Sequence, residues 1–187
     1  SGWYRDEYQL AKLRGFTGTV TDYASRFEHI RNAFGSNNTE FWNTFVHWMD
    51  QIKQLDIYGG EPMLMPELFK NLALVKQKTA QLRLHTNGTV LNYQYLEILL
   101  QYRRVELSFS VDSDDEHEFE YIRYPLRWEQ LNRNIQFMRS LTDNISASYT
   151  LSNLNIFAHE QTVAWFDANC IPYNYNIVYS PEYFQPW

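Results

Sequence analysis

Apolar residues recur at three- and four-residue spacing along the first fifty positions, a pattern that predicts amphipathic helices. The apolar positions of the two main stripes are Tyr23, Phe27, Ile30 and Phe34, then Phe41, Phe45, Trp48, Met49 and Ile52. Thr39 is the expected N-cap of the second helix. Another helix is predicted from Trp3 to Leu13, ended by Gly15 and Gly18. We therefore expect a helical segment over residues 1–54.

From residue 55 onward, short apolar runs alternate with amphipathic segments. The expected strands cover 55–58, 82–85, 105–111, 145–151 and 173–178, and the expected helices cover 66–79, 93–102, 128–141 and 159–169. This alternation predicts an α/β fold of parallel β-α-β units with right-handed crossovers. Two architectures satisfy it, an open doubly wound sheet or a barrel or partial barrel. No linker separates 55–187 from the helical segment, so we expect both to pack as one domain.

Glycine and polar residues follow the predicted strands at their carboxyl ends, where ligands bind in either architecture. Gly59-Gly60-Glu61-Pro62 follows the first strand, and Thr86-Asn87-Gly88 follows the second. Ser110 and Asp112 flank the end of the third strand. Turn chemistry explains each motif taken singly, and Asp112 fits a helix cap equally well. The spacing of the glycines excludes a phosphate-binding loop.

Composition and charge exclude several classes of protein. The chain has 187 residues, of which 44% are hydrophobic, and a net charge of -6, which disfavours nucleic-acid binding. No apolar run reaches the roughly 18 residues of a membrane span, and no signal sequence is visible, so we expect a cytoplasmic protein. Cys170 is the single cysteine, so a metal site of several thiolates is excluded and a buried thiol is expected. The acidic run 112–118 is typical of a solvated loop or a helix start.

The order of the strand-end motifs resembles that of radical S-adenosylmethionine (SAM) enzymes. In that family one strand ends in Gly-Gly-Glu-Pro, the next in Thr-Asn-Gly, and a third in Ser-Val-Asp-Ser. The branch with a twitch or SPASM extension is the most similar, and the segments 120–125 and 128–129 add to this resemblance. The similarity covers about residues 55–178. It implies a parallel-stranded partial (β/α)6 TIM-type barrel, with the first strand missing from this chain.

The resemblance also implies a set of SAM-binding residues. The Gly-Gly-Glu-Pro turn would hold the methionine amino group, and Ser110 and Arg123 its carboxylate. Asn153 or Asn155 would contact the ribose or the methionine part, and Tyr175 and Ile177 would flank the adenine. The complete set is Gly59, Gly60, Glu61, Pro62, Thr86, Asn87, Ser110, Asp112, Arg123, Asn153, Asn155, Tyr175 and Ile177. No catalytic residue and no metal ligand is assigned.

The sequence departs from the family in lacking the Cys-x-x-x-Cys-x-x-Cys segment that ligates a [4Fe-4S] cluster. We therefore expect a core fragment that is inactive by itself, with SAM and the cluster as cofactors of the full-length protein and none tightly bound here. That protein would cleave SAM reductively to a 5'-deoxyadenosyl radical, which abstracts hydrogen from a small-molecule or peptide substrate. The alternatives are a non-catalytic, degenerate β/α-barrel that binds a small molecule or peptide, and an ordinary α/β domain. The oligomeric state stays open.

Overall fold

The computed structural model describes residues 8–9, 11–25, 38–178 and 184. Two compact units divide the chain, residues 1–47 and residues 48–187. In the first unit, residues 8–9 and 11–13 are helical, and helix α1 (Val20–Ser25) follows. Helix α2 (Thr39–Met49) begins in this unit and ends in the second. The packing of 1–54 and 55–187 as one domain stays a prediction.

The cap of α2 differs from the prediction by one residue. The backbone N–H of Phe41 donates to Asn38 Oδ1 at 2.9 Å, so Asn38, not Thr39, caps the helix. Thr39 is instead the first helical residue. The predicted apolar stripe through Phe27, Ile30 and Phe34 lies outside the described residues, as does the beginning of the predicted helix from Trp3.

Five parallel strands form the sheet of the second unit. They are β1 (Gln54–Ile57), β2 (Gln81–Thr86), β3 (Arg104–Ser110), β4 (Ile145–Leu151) and β5 (Tyr173–Ile177). Each strand pairs with the next one along the chain, in the order β1-β2-β3-β4-β5, and the sheet curls into a half-barrel. A doubly wound sheet requires the strand order to reverse at a switch point, so the partial barrel is the correct alternative.

Each helix predicted from residue 55 onward is present, with one addition, but the helix predicted over 66–79 ends at Leu74. They are α3 (Pro66–Leu74), α4 (Tyr93–Leu99), α5 (Glu116–Ile122), α6 (Trp128–Arg139) and α7 (His159–Ala168). Helix α5 was not predicted as an element of its own, because Phe119 is its one fully buried residue and a single anchor gives no periodicity. Asp115 caps it by accepting from the Glu118 N–H at 2.8 Å. Within the described residues no helix has the length and apolarity needed to cross a membrane.

The two faces of the sheet differ in chemistry because side chains alternate along each strand. One face is apolar and covered by helices; for example, Tyr149 of β4 packs its ring against Phe166 of α7. On the other face Asp56, Arg83 and Glu106 lie in register across three strands. Arg83 Nε lies 3.1 Å from Glu106 Oε2, and Arg83 Nη1 lies 3.8 Å from Asp56 Oδ1. The half-barrel therefore has a polar wall on the side away from its helices.

Cys170 corrects another prediction, because its side chain is exposed. The residue follows the end of α7 with a φ of 51°, in the left-handed region where helices commonly end. Its N–H donates to the Asp167 carbonyl at 3.0 Å, and the Ile171 N–H donates to the Phe166 carbonyl at 2.9 Å. Cys170 thus stands at the helix terminus, a surface position that apolarity alone does not reveal.

The loop after β2 is fixed against α6 at Gly88. This residue has a φ of +70°, and a Cβ placed on it would lie 2.5 Å from both Leu131 Cδ1 and Phe109 Cδ1. The buried amide of Asn134 donates to the Gly88 carbonyl at 2.7 Å. The position therefore requires glycine both for its backbone angle and for the space it leaves.

We predict that Gly88→Ala destabilises the second unit by about 2–4 kcal/mol, since the methyl group adds overpacking to backbone strain. Gly60→Ala is the matched control, because Gly60 also has a positive φ but no atom within 4 Å of an added Cβ. Its expected cost is about 1 kcal/mol, from strain alone. Urea denaturation followed by circular dichroism measures both, and equal losses would contradict the packing argument.

Candidate functional site

The first element of the site is the turn that leaves β1. Gly59 and Gly60 have φ values of +94° and +46°, and no atom lies within 4 Å of a Cβ added at either position. The backbone of this turn is therefore open to a ligand, as close approach to a main chain requires. Pro62, which follows, is buried at the start of a short 3-10 turn from Pro62 to Leu64.

Glu61 joins the loops that follow β1 and β2. Its Oε1 accepts from the Met63 N–H at 3.0 Å and from the Thr86 hydroxyl at 2.7 Å, and its Oε2 accepts from the Asn87 N–H at 2.8 Å. Thr86 is 4% exposed, and its Oγ1 also accepts from the Gly88 N–H. Three predicted site residues, Glu61, Thr86 and Asn87, are therefore in direct contact.

Asp112 organises a second cluster at the ends of β3 and β4. This residue is 4% exposed. Its Oδ1 accepts from the Thr150 N–H at 2.9 Å, and its Oδ2 accepts from Arg123 Nε at 2.6 Å. Its backbone carbonyl accepts from the Asn155 amide at 2.7 Å. Asp112, Arg123 and Asn155, three predicted site residues from separate loops, thus lie together.

The two asparagines after β4 behave differently from each other. Asn155 is 1% exposed. Its Oδ1 accepts from the Ser152 N–H at 2.8 Å, and its Nδ2 donates to the Thr150 carbonyl at 2.8 Å as well as to Asp112. These hydrogen bonds hold the loop in place and leave Asn155 no free group for a ligand. Asn153 is exposed, and its N–H donates to the Phe184 carbonyl at 3.0 Å.

Ser110 and the two predicted site residues of β5, Tyr175 and Ile177, lie on different faces of the sheet. Ser110 is half-buried on the polar face, in register with Ser148 of β4, and its hydroxyl makes no hydrogen bond to the described residues. Tyr175 and Ile177 pair with Tyr149 and Leu151 on the helix-covered face.

The polar-face positions of β5 are Asn174 and Asn176, in register with Ser148 and Thr150. The side chains of β5 that lie on the polar wall are therefore those of Asn174 and Asn176, and not those of the predicted residues Tyr175 and Ile177. Tyr175 instead lies beside His159 of α7, with ring centroids 6.3 Å apart.

His85 is a candidate site residue that the predicted set did not include. It lies two residues before Asn87, and its ring stacks on Tyr58 with centroids 4.1 Å apart. Burial lowers the pKa of His85 below its ordinary value of 6.5, and the nearby Arg83 lowers it further. Its Nε2 is buried and finds no hydrogen-bond partner among the described residues. The sequence signal that could have identified His85 is its position at the end of a predicted strand, directly before Thr86-Asn87-Gly88.

Tyr149 is a buried phenol with three carboxylates in its surroundings. Burial raises the pKa of the Tyr149 phenol to about 12, with further contributions from the carboxylates of Glu118, Asp112 and Asp114. Its hydroxyl lies 3.3 Å from His159 Nδ1. Because the phenol stays protonated at neutral pH, it serves as a hydrogen-bonding group of the core.

The described residues do not fit an iron–sulfur cluster. No group of three or more His, Cys, Asp or Glu side chains among them is arranged to hold a metal ion. Cys170 precedes β5, so it lies near the amino ends of the strands, whereas the two clusters lie at the carboxyl ends. A cluster held by three thiolates therefore has no ligand set in this part of the chain.

Comparison with known proteins gives a result for the fold only. No family model matches the sequence, and neither does any curated protein. Among solved structures, native anSMEcpe with bound AdoMet (SAM) is similar with a TM-score of 0.63 and 15% identity, over 77% of this chain and 43% of that one. SuiB from Streptococcus suis is similar with a TM-score of 0.61 and 11% identity, over 98% of this chain and 53% of that one.

A structure of SuiB bound to S-adenosylmethionine is also similar, with a TM-score of 0.58 and 15% identity, over 77% of this chain and 35% of that one. Both anSME and SuiB are radical SAM enzymes. The resemblance inferred from the sequence is thus confirmed at the level of the fold, which is the half-barrel of these enzymes. This chain spans about half of the length of these proteins, or less.

We predict that Thr86→Val destabilises the second unit by about 2 kcal/mol. The isosteric change removes the donor to Glu61 and the acceptor for the Gly88 N–H, each worth roughly 1 kcal/mol. Thr86→Ser keeps the hydroxyl and is expected to cost less than about 1 kcal/mol. Chemical denaturation of both variants measures the difference; a loss in Thr86→Ser as large as that in Thr86→Val would contradict the prediction that the hydroxyl makes the larger contribution.

The lowered pKa of His85 predicts a pH dependence of stability. Between the folded-state pKa and about 6.5 the unfolded chain binds more protons, so the free energy of unfolding rises with pH there and this contribution is lost on acidification. His85→Gln should flatten the slope of stability against pH below about 6.5. An NMR titration of the His85 ring in the wild-type chain gives the pKa directly, and a value above 6.5 would contradict the prediction.

Proposed function

We propose that this chain is the SAM-binding core of a radical SAM enzyme, with the cofactor at the carboxyl ends of β1 to β4. The observation that carries the proposal is the three-donor contact of Glu61, which joins the Gly-Gly-Glu-Pro turn to Thr86-Asn87. The motif order that suggested the family is thus matched by contact between the same residues, in a fold shared with SAM-bound structures.

The proposed contacts follow the chemistry of the methionine part of SAM. The open turn at Gly59 and Gly60 offers backbone groups to the ammonium group, and Glu61 gives this region a negative charge. Ser110 suits the carboxylate, because its hydroxyl has no partner among the described residues. Arg123 suits the same carboxylate, because a guanidinium makes charge-assisted hydrogen bonds with it.

The proposal separates SAM binding from the subsequent chemistry. In radical SAM enzymes the bound cofactor supplies reductive cleavage and hydrogen abstraction, which need a [4Fe-4S] cluster that the described residues do not fit. Hydrogen abstraction is therefore proposed only for a longer protein of which this chain forms a part. A peptide is a reasonable substrate class beside a small molecule, since one similar structure is native anSMEcpe with bound AdoMet and Kp18Cys peptide.

A non-catalytic binding module is the second candidate. The observation that favours it is the exposed Cys170 near the amino ends of the strands, the single thiol of the sequence. Such a module would hold SAM or a related ligand without a cluster. The two candidates differ in the affinity they require of the iron-free chain, because an enzyme core normally gains part of its hold on SAM from the iron.

We predict that the purified chain binds SAM with a Kd on the order of millimolar, since a few hydrogen bonds of about 0.5–1.5 kcal/mol must offset the cost of ordering the ligand. Ser110→Ala should weaken binding by roughly fivefold. Ser108→Ala is the matched control, because Ser108 lies on the same face of β3 as Ser110 but two residues farther from the carboxyl end of the strand.

Calorimetry or NMR titration of the iron-free protein measures these constants. Micromolar affinity would favour the binding module over the enzyme core. The absence of any interaction with SAM would overturn both candidates, and an equal effect of the two serine substitutions would overturn the site assignment.

A further inference from the structure

Asp112 and Arg123 form an ion pair between the end of β3 and the end of α5. Arg123 Nε lies 2.6 Å from Asp112 Oδ2, and the two side chains are 25% and 5% exposed, arginine first. The Asp112 carboxylate has a fixed orientation, because its Oδ1 accepts from the Thr150 N–H. The two Nη groups of Arg123 make no hydrogen bond to the described residues. An arginine paired through Nε retains both for another anion.

We propose that Asp112 is a positioning residue that fixes Arg123 with its Nη groups facing the carboxylate of bound SAM. The inference rests on the proposed function and changes the role first expected for Asp112. Its carboxylate was predicted to contact the cofactor, but both oxygens already accept hydrogen bonds and the residue is 4% exposed. Asp112 therefore acts on the ligand through Arg123.

The ion pair has two opposite effects on an anionic ligand. The negative charge of Asp112 reduces the attraction that Arg123 exerts on a carboxylate. Against this, an unpaired arginine loses rotamer entropy when it binds a ligand, and a paired one has already lost it. The proposal holds that prior ordering outweighs the lost attraction, so removing the charge of Asp112 must weaken binding.

Asp112→Asn tests the sign of this balance. The asparagine keeps an oxygen for the Thr150 N–H but presents an amide N–H group to Arg123 Nε, which releases the guanidinium. The full chain is titrated by NMR with SAM and with 5'-methylthioadenosine, which lacks the amino and carboxylate groups. We expect Asp112→Asn and Arg123→Gln each to weaken SAM binding roughly tenfold and to leave 5'-methylthioadenosine unchanged.

The controls separate positioning from general effects. Arg127→Gln removes another arginine near the same helix, one that pairs with Glu120, and should leave SAM binding unchanged. The double variant Asp112→Asn with Arg123→Gln should bind SAM no more weakly than either single variant, because the two residues act as a unit. Unchanged or tighter SAM binding by Asp112→Asn, or additive losses in the double variant, would overturn the inference.

Arg123→Lys provides a second test that leaves Asp112 intact, should Asp112→Asn fail to fold. Lysine keeps the positive charge but lacks the fork that contacts Asp112 and a ligand together. We expect it to weaken SAM binding as much as Arg123→Gln, and wild-type affinity would overturn the inference. If the wild-type chain binds neither SAM nor 5'-methylthioadenosine, the proposed function itself fails. If it binds both, and Arg123→Gln weakens SAM binding but Asp112→Asn does not, only the role of Asp112 fails.

Discussion

The sequential, parallel register of the five strands is the constraint on which the rest of the structure depends. Because every strand pair is parallel, all carboxyl ends meet at one edge of the half-barrel, and the sequential order makes the loops of successive strands neighbours there. The loops after β1 and β2 can then share the carboxylate of Glu61, and those after β3 and β4 can share that of Asp112. Each of these two contacts requires the strands concerned to be neighbours, β1 beside β2 and β3 beside β4.

The carboxylates of Glu61 and Asp112 each join two loops, but they differ in their surroundings. Glu61 accepts three hydrogen bonds from two loops, beside a turn whose backbone is open. Asp112 is nearly fully buried, and its two oxygens and its carbonyl all accept hydrogen bonds. A buried carboxylate requires such partners, because desolvation of an unpaired charge costs several kcal/mol. The acidic residues of the site therefore hold its loops together, and Gly59, Gly60, Ser110 and Arg123 offer the groups that remain for a ligand.

The polar wall of the half-barrel accounts for the unusual environment of His85. Its ring stacks on Tyr58, and it follows Arg83 on the same face, so both burial and a neighbouring positive charge oppose protonation. A neutral imidazole with a buried, unpartnered nitrogen is consistent with a surface that a polar ligand covers. The ion pairs of Arg83 with Asp56 and Glu106 lie nearer the amino ends of the strands.

The sequence by itself determined the alternation of strands and helices and the strand-end motifs, because periodicity and turn chemistry are local properties. It also predicted that Glu61, Asn87, Ser110 and Asp112 lie at the carboxyl ends of the strands, since parallel strands share an edge. Only the tertiary structure decided between the two sheet architectures, because the order of strands depends on pairing between distant segments. It also decided that Asn174 and Asn176, and not Tyr175 and Ile177, share the face of Ser110, because the facing of an edge strand depends on its register with β4. The same holds for Asn155 and Cys170, whose burial and exposure depend on loop and helix-end contacts that no local pattern encodes.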